Sequence, residues 1–522
     1  MARRIPQALF LLSAALATLV CLESAATWAA NKKIMRVAFR EPEHLDCHTN
    51  RTGQGHATIP LLYNALVRFK PGTIDIEPDV AERWEHSPDG LQWTFYLRKG
   101  VQFHKGFGEV KADDVVFSFK RVLDPKTGAP MRNIVEIINE VKALDESTVQ
   151  MAIERPDSAF LMRLTHHRSG CIYSKKALEK YGPDAPWNPV GTGPFLFKEH
   201  SPQQRVVFVA NEQYFRGRPK IDEVHYYNVP EIATILLGME KGDFDLTRIT
   251  GPANAPYEAL KKAGMVIDVA GFGGFMGLYL RNDREPFNDI RVRQAIFHAL
   301  NRDEITQTIM GPVGQRWDSP VPDSFFGYTS AGLPHYEYDP ALAKKLLAEA
   351  GHSQGLQLRT WISNRQDYNK TMVMIQEQLK QVGIELKIEV AEHAKFHDYN
   401  LKNLKNLQPH MALIGGVELP HAQLWLDERF NSKALPPGSN FSNYKDPQVD
   451  QWLNEARGEL DPEKQTALYA EIQRKIMADA AFVPIYNYKL FLARNPRVKL
   501  NYQEGAVLNW FYTSIADMDI HE

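Results

Sequence analysis

The chain has 522 residues, with 61 Lys and Arg against 63 Asp and Glu, a formal charge of −2. That balance gives no support for a nucleic-acid or anionic-membrane partner. A hydrophobic content of 44% with 11% aromatics excludes a disordered chain, and the length calls for two or three lobes rather than one core.

Residues 1–30 read as an export signal. Arg3 and Arg4 precede an uncharged apolar run over residues 9–20, and small residues gather at Ser24-Ala25-Ala26 and Ala29-Ala30. The run is shorter than the roughly 20 residues a membrane span needs. Val20 directly before Cys21 argues against a lipid anchor, so cleavage is expected between Ala26 and Ala30. Two cysteines then remain, Cys47 and Cys171. In an oxidising compartment a bridge between them is open, the alternative being two small buried apolar residues. They are too few and too far apart in sequence to read as a metal site.

The mature chain opens on a strand over 34–39, followed by a glycine-bearing loop, Thr52-Gly53-Gln54-Gly55, and a helix over 58–67. Asp89-Gly90 is a tight-turn pair. Leu91, Trp93, Phe95 and Leu97 then alternate with polar residues, the period of a half-buried strand. Beyond Gly100 and Gly106 the period becomes helical, with Val115, Phe119 and Val122 on one face. Asn188 to Pro194 is rich in turn residues and is followed by strands over 195–198, 206–210 and 222–228 and a helix over 231–241. A strand over 277–282 leads to a helix ending at Leu300. Asp339-Pro340 and Asp461-Pro462 each pair an N-cap with proline at the first helical position. The second of these helices carries Leu468, Ile472 and Ile476 on a core-facing stripe. A helix over 369–382 precedes a strand over 385–390. Strands alternating with helices predict an α/β architecture.

In wording and order, residues 87–125 resemble the marker segment of the extracytoplasmic solute-binding proteins of peptide- and nickel-type ABC importers, solute-binding family 5. Four further blocks carry the same resemblance. Leu45-Asp46 sits where the family has a Leu-Asp-Pro-His element, with Cys47 replacing proline. Gly191-Thr192-Gly193-Pro194 with Asn211 and Tyr214 fits the next block. The run from Pro286 to Asn301 with Asp303 and Ile305 fits another, as does Tyr338-Asp339-Pro340 with Leu346-Leu347. The resemblance implies a two-lobe periplasmic-binding-protein fold with a ligand cleft between the lobes and an extra subdomain in the first. The first lobe would comprise residues 31–76, an inserted subdomain over 77–187, residues 188–279 and a C-terminal return over 495–522. Residues 280–494 would form the second lobe.

It also implies ligand residues. Arg365, ahead of Tyr368-Asn369, matches an arginine of the dipeptide-binding branch, and its planar fork suits a carboxylate. Glu418 stands near the family's aspartate that accepts an α-ammonium, although the segment is one residue shorter and Gly416 replaces a tryptophan. That loss of an aromatic wall leaves room for a bulkier guest. Gly415 and Gly416, faced by Thr52 and Gly53, would let a ligand approach the backbone closely. His421 is the histidine best placed beside this site, the alternative being a structural histidine. His44, His48, His166 and His167 are the others to weigh.

No Gly-x-Ser-x-Gly, His-Glu-x-x-His, P-loop or Cys-x-x-Cys pattern occurs. Asp113-Asp114 is placed by the resemblance at a helix start, where negative charge suits the dipole. The chain thus reads as a monomeric periplasmic receptor, not an enzyme, without cofactor or resident metal. It would hand a peptide or peptide-like zwitterion to permease and ATPase subunits in separate chains. Alternatives are a nickel- or metallophore-binding receptor, an opine- or conjugate-binding receptor, and a ligand-sensing co-receptor.

Overall fold

The structure, a computed structural model, describes residues 32–52, 55–249, 254–269, 274–392, 395–396, 409–416, 419–436, 438–489, 491–501 and 515–521. The export signal over residues 1–30 lies outside them. Among the described residues no helix is long and apolar enough to cross a membrane.

Two mixed sheets organise the two lobes. The first has seven strands in the order Val266–Val269, Phe491–Arg494, Leu246–Ile249, Ile34–Phe39, Glu223–Asn228, Arg205–Ala210 and Phe195–Ser201. Its central strand Ile34–Phe39 runs parallel to both neighbours. The second has six, in the order Gly314–Arg316, Phe482–Tyr488, Gly274–Leu280, Met411–Gly416, Leu356–Ser363 and Ile384–Ala391. A four-stranded antiparallel sheet, Ala81–His86, Gln92–Leu97, Thr148–Ile153 and Ile138–Ala143, forms the inserted subdomain with the helix Ala112–Leu123. Trp93, Phe95 and Leu97 point into its core and meet Val115, Phe119 and Val122 there, as the two periods require. Asp114 accepts a hydrogen bond from the Lys111 amide at the start of that helix.

The sheets cross between lobes at places other than 279/280 and 494/495. The strand Gly274–Leu280 is buried along its whole length in the middle of the second sheet. A continuous apolar run of that kind is a central strand rather than one leaving the first lobe. Likewise Phe491–Arg494 already belongs to the first sheet, so the return begins just after Tyr488. Val498, Met518 and Ile520 pack with Met35 and Val37 in the first-lobe core.

The helix expected over 58–67 is instead Gly55–Leu62, with a short strand at Val67–Phe69. Two contacts end it early. The Gly193 amide donates to the Leu62 carbonyl at 2.9 Å, and the Asp79 carboxylate accepts from the Ala65 amide at 3.2 Å and from the Asn64 side chain at 3.0 Å. Gly191 and Gly193 press so closely on the Leu62 backbone that a Cβ at either position would overlap it, which accounts for the Gly-Thr-Gly-Pro return. Asp339 and Asp461 cap their helices, each accepting from two backbone amides, and Asp446 before Pro447 does the same for Pro447–Gly458.

Cys47 and Cys171 form a disulfide that joins the first segment to the end of the subdomain across 124 residues. Beside it Arg121 forks onto Asp46 at 2.6 and 3.1 Å. Burial works to raise the Asp46 pKa, but this guanidinium outweighs it and holds the carboxyl below its usual range. Replacing both cysteines by serine is expected to lower stability by about 2–5 kcal/mol, since a crosslink closing a long loop restricts the unfolded chain. Urea unfolding of the pair of variants, with oxidised and reduced parent protein, checks this.

Buried imidazoles give the fold a pH dependence. Burial lowers His48 to about 4, with Arg121 adding to the shift, and lowers His104 to about 4 against its bond to the Gly193 carbonyl. The unfolded chain therefore takes up protons below pH 6.5 that the folded chain refuses until about pH 4. Their contribution to stability is complete above pH 6.5 and is lost as the pH falls toward 4. Thermal melts between pH 8 and 4.5 should show this decline, with a shallower slope in His104→Gln.

Candidate functional site

Open α/β sheets expose their ligand sites beyond the carboxyl ends of their parallel strands. In the second sheet those ends are Ser363, Ala391 and Gly416, and Phe482–Tyr488 runs the same way because both it and Met411–Gly416 are antiparallel to Gly274–Leu280. In the first sheet they are Phe39, Asn228 and Ile249. The two sets meet at Tyr488, whose ring packs against both the first-lobe and the second-lobe core. A Cβ at Gly274 would overlap the Tyr488 hydroxyl and the Gly416 carbonyl oxygen, so glycine there lets this edge close up.

Arg365 stands at this edge, between the end of Leu356–Ser363 and the helix Gln366–Gln381. Its Nε and Nη2 donate to Asp367 at 3.1 and 2.6 Å, and its guanidinium lies 5.4 Å from the Tyr368 ring centre. Burial acts to lower its pKa, yet the Asp367 carboxylate prevails and holds it above the ordinary arginine value. The side chain is 42% exposed, and Asp367 takes the Nε and Nη2 edge of the fork. The same Tyr368 fixes the neighbouring strand end. Its hydroxyl donates to the Gly415 carbonyl at 3.0 Å and accepts from the Gly415 amide at 2.8 Å.

That geometry corrects the expectation for Gly415. Its backbone groups are spent on Tyr368, and a Cβ there would crowd the Phe275 carbonyl at 2.8 Å, so the glycine serves packing rather than ligand approach. Gly416, half-buried, has more space around it. Thr52 turns its amide onto the Asn50 side chain at 3.1 Å, while its carbonyl accepts from the buried Arg168 at 3.1 Å. Gly53 and Glu418 lie outside the described residues. Leu419 packs against Phe69 and Met162 of the first lobe, which sets it at the junction of the lobes.

His421 takes the structural role. It is buried, its Nδ1 accepts from the Gln423 amide at 3.1 Å to cap the helix Ala422–Phe430, and its ring packs on Phe326. Burial, helped by Arg163, lowers it to about 3. His166 and His167 do not splay apart, because the chain turns after the helix Phe160–Leu164 and brings their rings to 4.9 Å. Both are buried and held neutral, His166 lowered to about 3. Among the described residues, Cys47, His48 and Cys171 bring potential ligand atoms within 4.8 Å of one another. The two sulfurs are bonded to each other, so they offer no thiolate. A separate cavity of about 380 Å³ in the first lobe is lined by Asn64, Arg68, Asp79, Tyr214 and Arg216. Its arginines already pair with acidic neighbours, Arg68 with Glu77, Arg216 with Asp79 and Arg218 with Glu212 and Asp222.

Sequence reasoning did not reach Asp367 or Tyr488. Nothing in the order of residues tells that Tyr488 meets both sheets.

Removing the Tyr368 hydroxyl leaves the Gly415 amide and carbonyl without their partner. Tyr368→Phe is expected to lower stability by about 1–3 kcal/mol and to weaken ligand binding through the displaced strand end. Chemical unfolding and calorimetric titration of this variant read the two effects separately.

The chain is similar to known proteins in sequence and fold. Residues 75–421 match the family model described as bacterial extracellular solute-binding proteins, family 5 Middle. The chain is 29% identical to the dipeptide-binding protein of Escherichia coli, over 83% of this chain and 84% of that one. It is equally 29% identical to heme-binding protein A of Haemophilus influenzae, over 88% and 87%. Among solved structures it is similar to MoaA of A. tumefaciens R10 in complex with mannopinic acid, at 30% identity and a TM-score of 0.78, covering 94% of this chain and 100% of that one. DppA from Helicobacter pylori in complex with the peptide STSA gives 29% identity and the same TM-score of 0.78, covering 94% and 98%.

Proposed function

The chain belongs to the bacterial extracellular solute-binding proteins, family 5, and from that premise we propose that it captures a peptide or peptide-like zwitterion for an ABC importer. The observation that carries this reading is Arg365, held by Asp367 at the carboxyl ends of the second-lobe strands, where they meet the first lobe. A guest carboxylate takes the free edge of the guanidinium, and Glu418 neutralises the amine at the other end. Closure of the lobes then buries both pairs, and the closed form is what a permease recognises. The protein is exported to the periplasm through residues 1–30, acts as a monomer, and transports nothing alone, with ATPase and permease supplied as separate chains.

Contacts between the lobes support closure. The Ser158 amide of the subdomain donates to the Arg457 carbonyl at 3.1 Å, and Gln465 donates to the Ser158 hydroxyl. A second reading, an amino-acid conjugate of the opine type, is favoured by Gly416 standing where a tryptophan would wall the cleft and by the likeness to MoaA.

Titration calorimetry of the purified protein against di- and tripeptides and an opine distinguishes the two readings. Arg365→Ala is expected to weaken binding of the preferred guest at least tenfold, and Glu418→Gln to weaken only guests that carry a free amine. Undiminished binding in both variants would overturn the site.

A further inference from the structure

We infer that Ser158 and Gln465 form a clasp between the lobes that holds the closed receptor shut without touching the guest, and so scales its affinity for every guest by one common factor. This rests on the binding reading above and adds to it the residues that govern how long a guest is retained.

Ser158 lies in the loop between the strand Thr148–Ile153 and the helix Phe160–Leu164 of the inserted subdomain. Asp157 fixes that loop from inside. It is buried, and its carboxylate accepts from the Ala159 amide at 2.8 Å and from Arg163 Nε at 2.9 Å.

The receiving surface is the end of the second-lobe helix Pro447–Gly458 and the first turn of the next helix, Pro462–Ala478. A helix leaves its last four carbonyls without intrahelical donors beyond its cap. Here the Glu455 carbonyl accepts from the Glu459 amide, and the Ala456 carbonyl from Gln465 Nε2 at 3.0 Å. The next carbonyl, that of Arg457, accepts at 3.1 Å from the Ser158 amide, a donor supplied by the opposite lobe. Gln465 Nε2 also donates to the Ser158 hydroxyl. One first-lobe residue thus donates to the end of one helix and accepts from the start of the next.

Both faces are set in advance. Asp427 receives Arg457 Nε and Nη2 at 3.0 and 2.6 Å, which steadies the helix end as Asp157 steadies the loop. Leu460 widens the contact, since a Cβ at Gly90 of the subdomain would lie 3.8 Å from its Cδ1. Faces prepared in this way lose little freedom on meeting. These residues belong to other elements than the strand ends beside Arg365, so the clasp contributes equally whichever guest is enclosed. Opening the lobes breaks both bonds and returns their groups to water. Apparent affinity follows the share of the receptor in its closed, competent state.

The test is calorimetric and stopped-flow titration of the intact protein with Ala-Ala, tri-alanine and mannopinic acid. Ser158→Ala and Gln465→Leu are each expected to weaken every probe the parent binds by about three- to tenfold, the worth of one net hydrogen bond. The loss appears as faster dissociation, and the ratios between probes stay within about twofold of the parent's. The double variant loses no more than about twofold beyond either single one, because both remove the same bond. Ser158→Thr, which keeps the hydroxyl, retains the parent's dissociation rate within about twofold. Unchanged dissociation in Ser158→Ala, or a loss confined to one probe while the others bind as before, overturns the clasp and leaves the binding reading standing. No binding of any probe by the parent overturns both. Should Gln465→Leu not fold, Ser158→Ala and Ser158→Thr still decide.

Discussion

The meeting of Tyr488 with Gly274 and Gly416 is the constraint on which the rest depends. Tyr488 ends one strand of the second sheet, yet its ring belongs to the cores of both lobes. Any side chain at position 274 would overlap both the Tyr488 hydroxyl and the Gly416 carbonyl oxygen, at the strand ends beside Arg365. Only two residues separate Tyr488 from Phe491, where the chain has already joined the first sheet. The crossing is too short to tolerate a displaced ring.

Around that point charge is arranged with unequal freedom. Arg365 is oriented by Asp367 two residues on, and Tyr368 next to it clamps the backbone of Gly415. The second-lobe wall is therefore rigid before any guest arrives, which reduces the ordering a guest must impose. Histidines in the vicinity contribute differently. His421 and the pair His166-His167 are buried and neutral, so they shape the junction without adding to its field.

Much of the fold was legible because local rules and tertiary packing agree. The alternation Trp93, Phe95, Leu97 and the helical face of Val115, Phe119 and Val122 fall in one core, and the Asp-Pro pairs cap their helices. The helix beginning at Gly55 failed the same reasoning. Its apolar side continues through Ala65 and Leu66, but Asp79 and Gly193, far along the chain, capture its last backbone groups. The site was legible only where a side chain's role is local. Arg365 was visible as a cation at a loop, and it lies at the strand ends. His421 looked equally available, yet a helix cap claims its ring. Tyr488 gains its meaning from the approach of two lobes, which no short stretch encodes.

The packing of Leu419 between Phe69 and Met162 has a mechanical consequence. Leu419 is thereby seated against the opposite jaw, and Ser158 of that jaw is fastened to Arg457 and Gln465. A guest large enough to push Leu419 outward thus loads the inserted subdomain as well. The bulk of whatever is held inside becomes readable on the outer face of the molecule, far from the atoms that touch it.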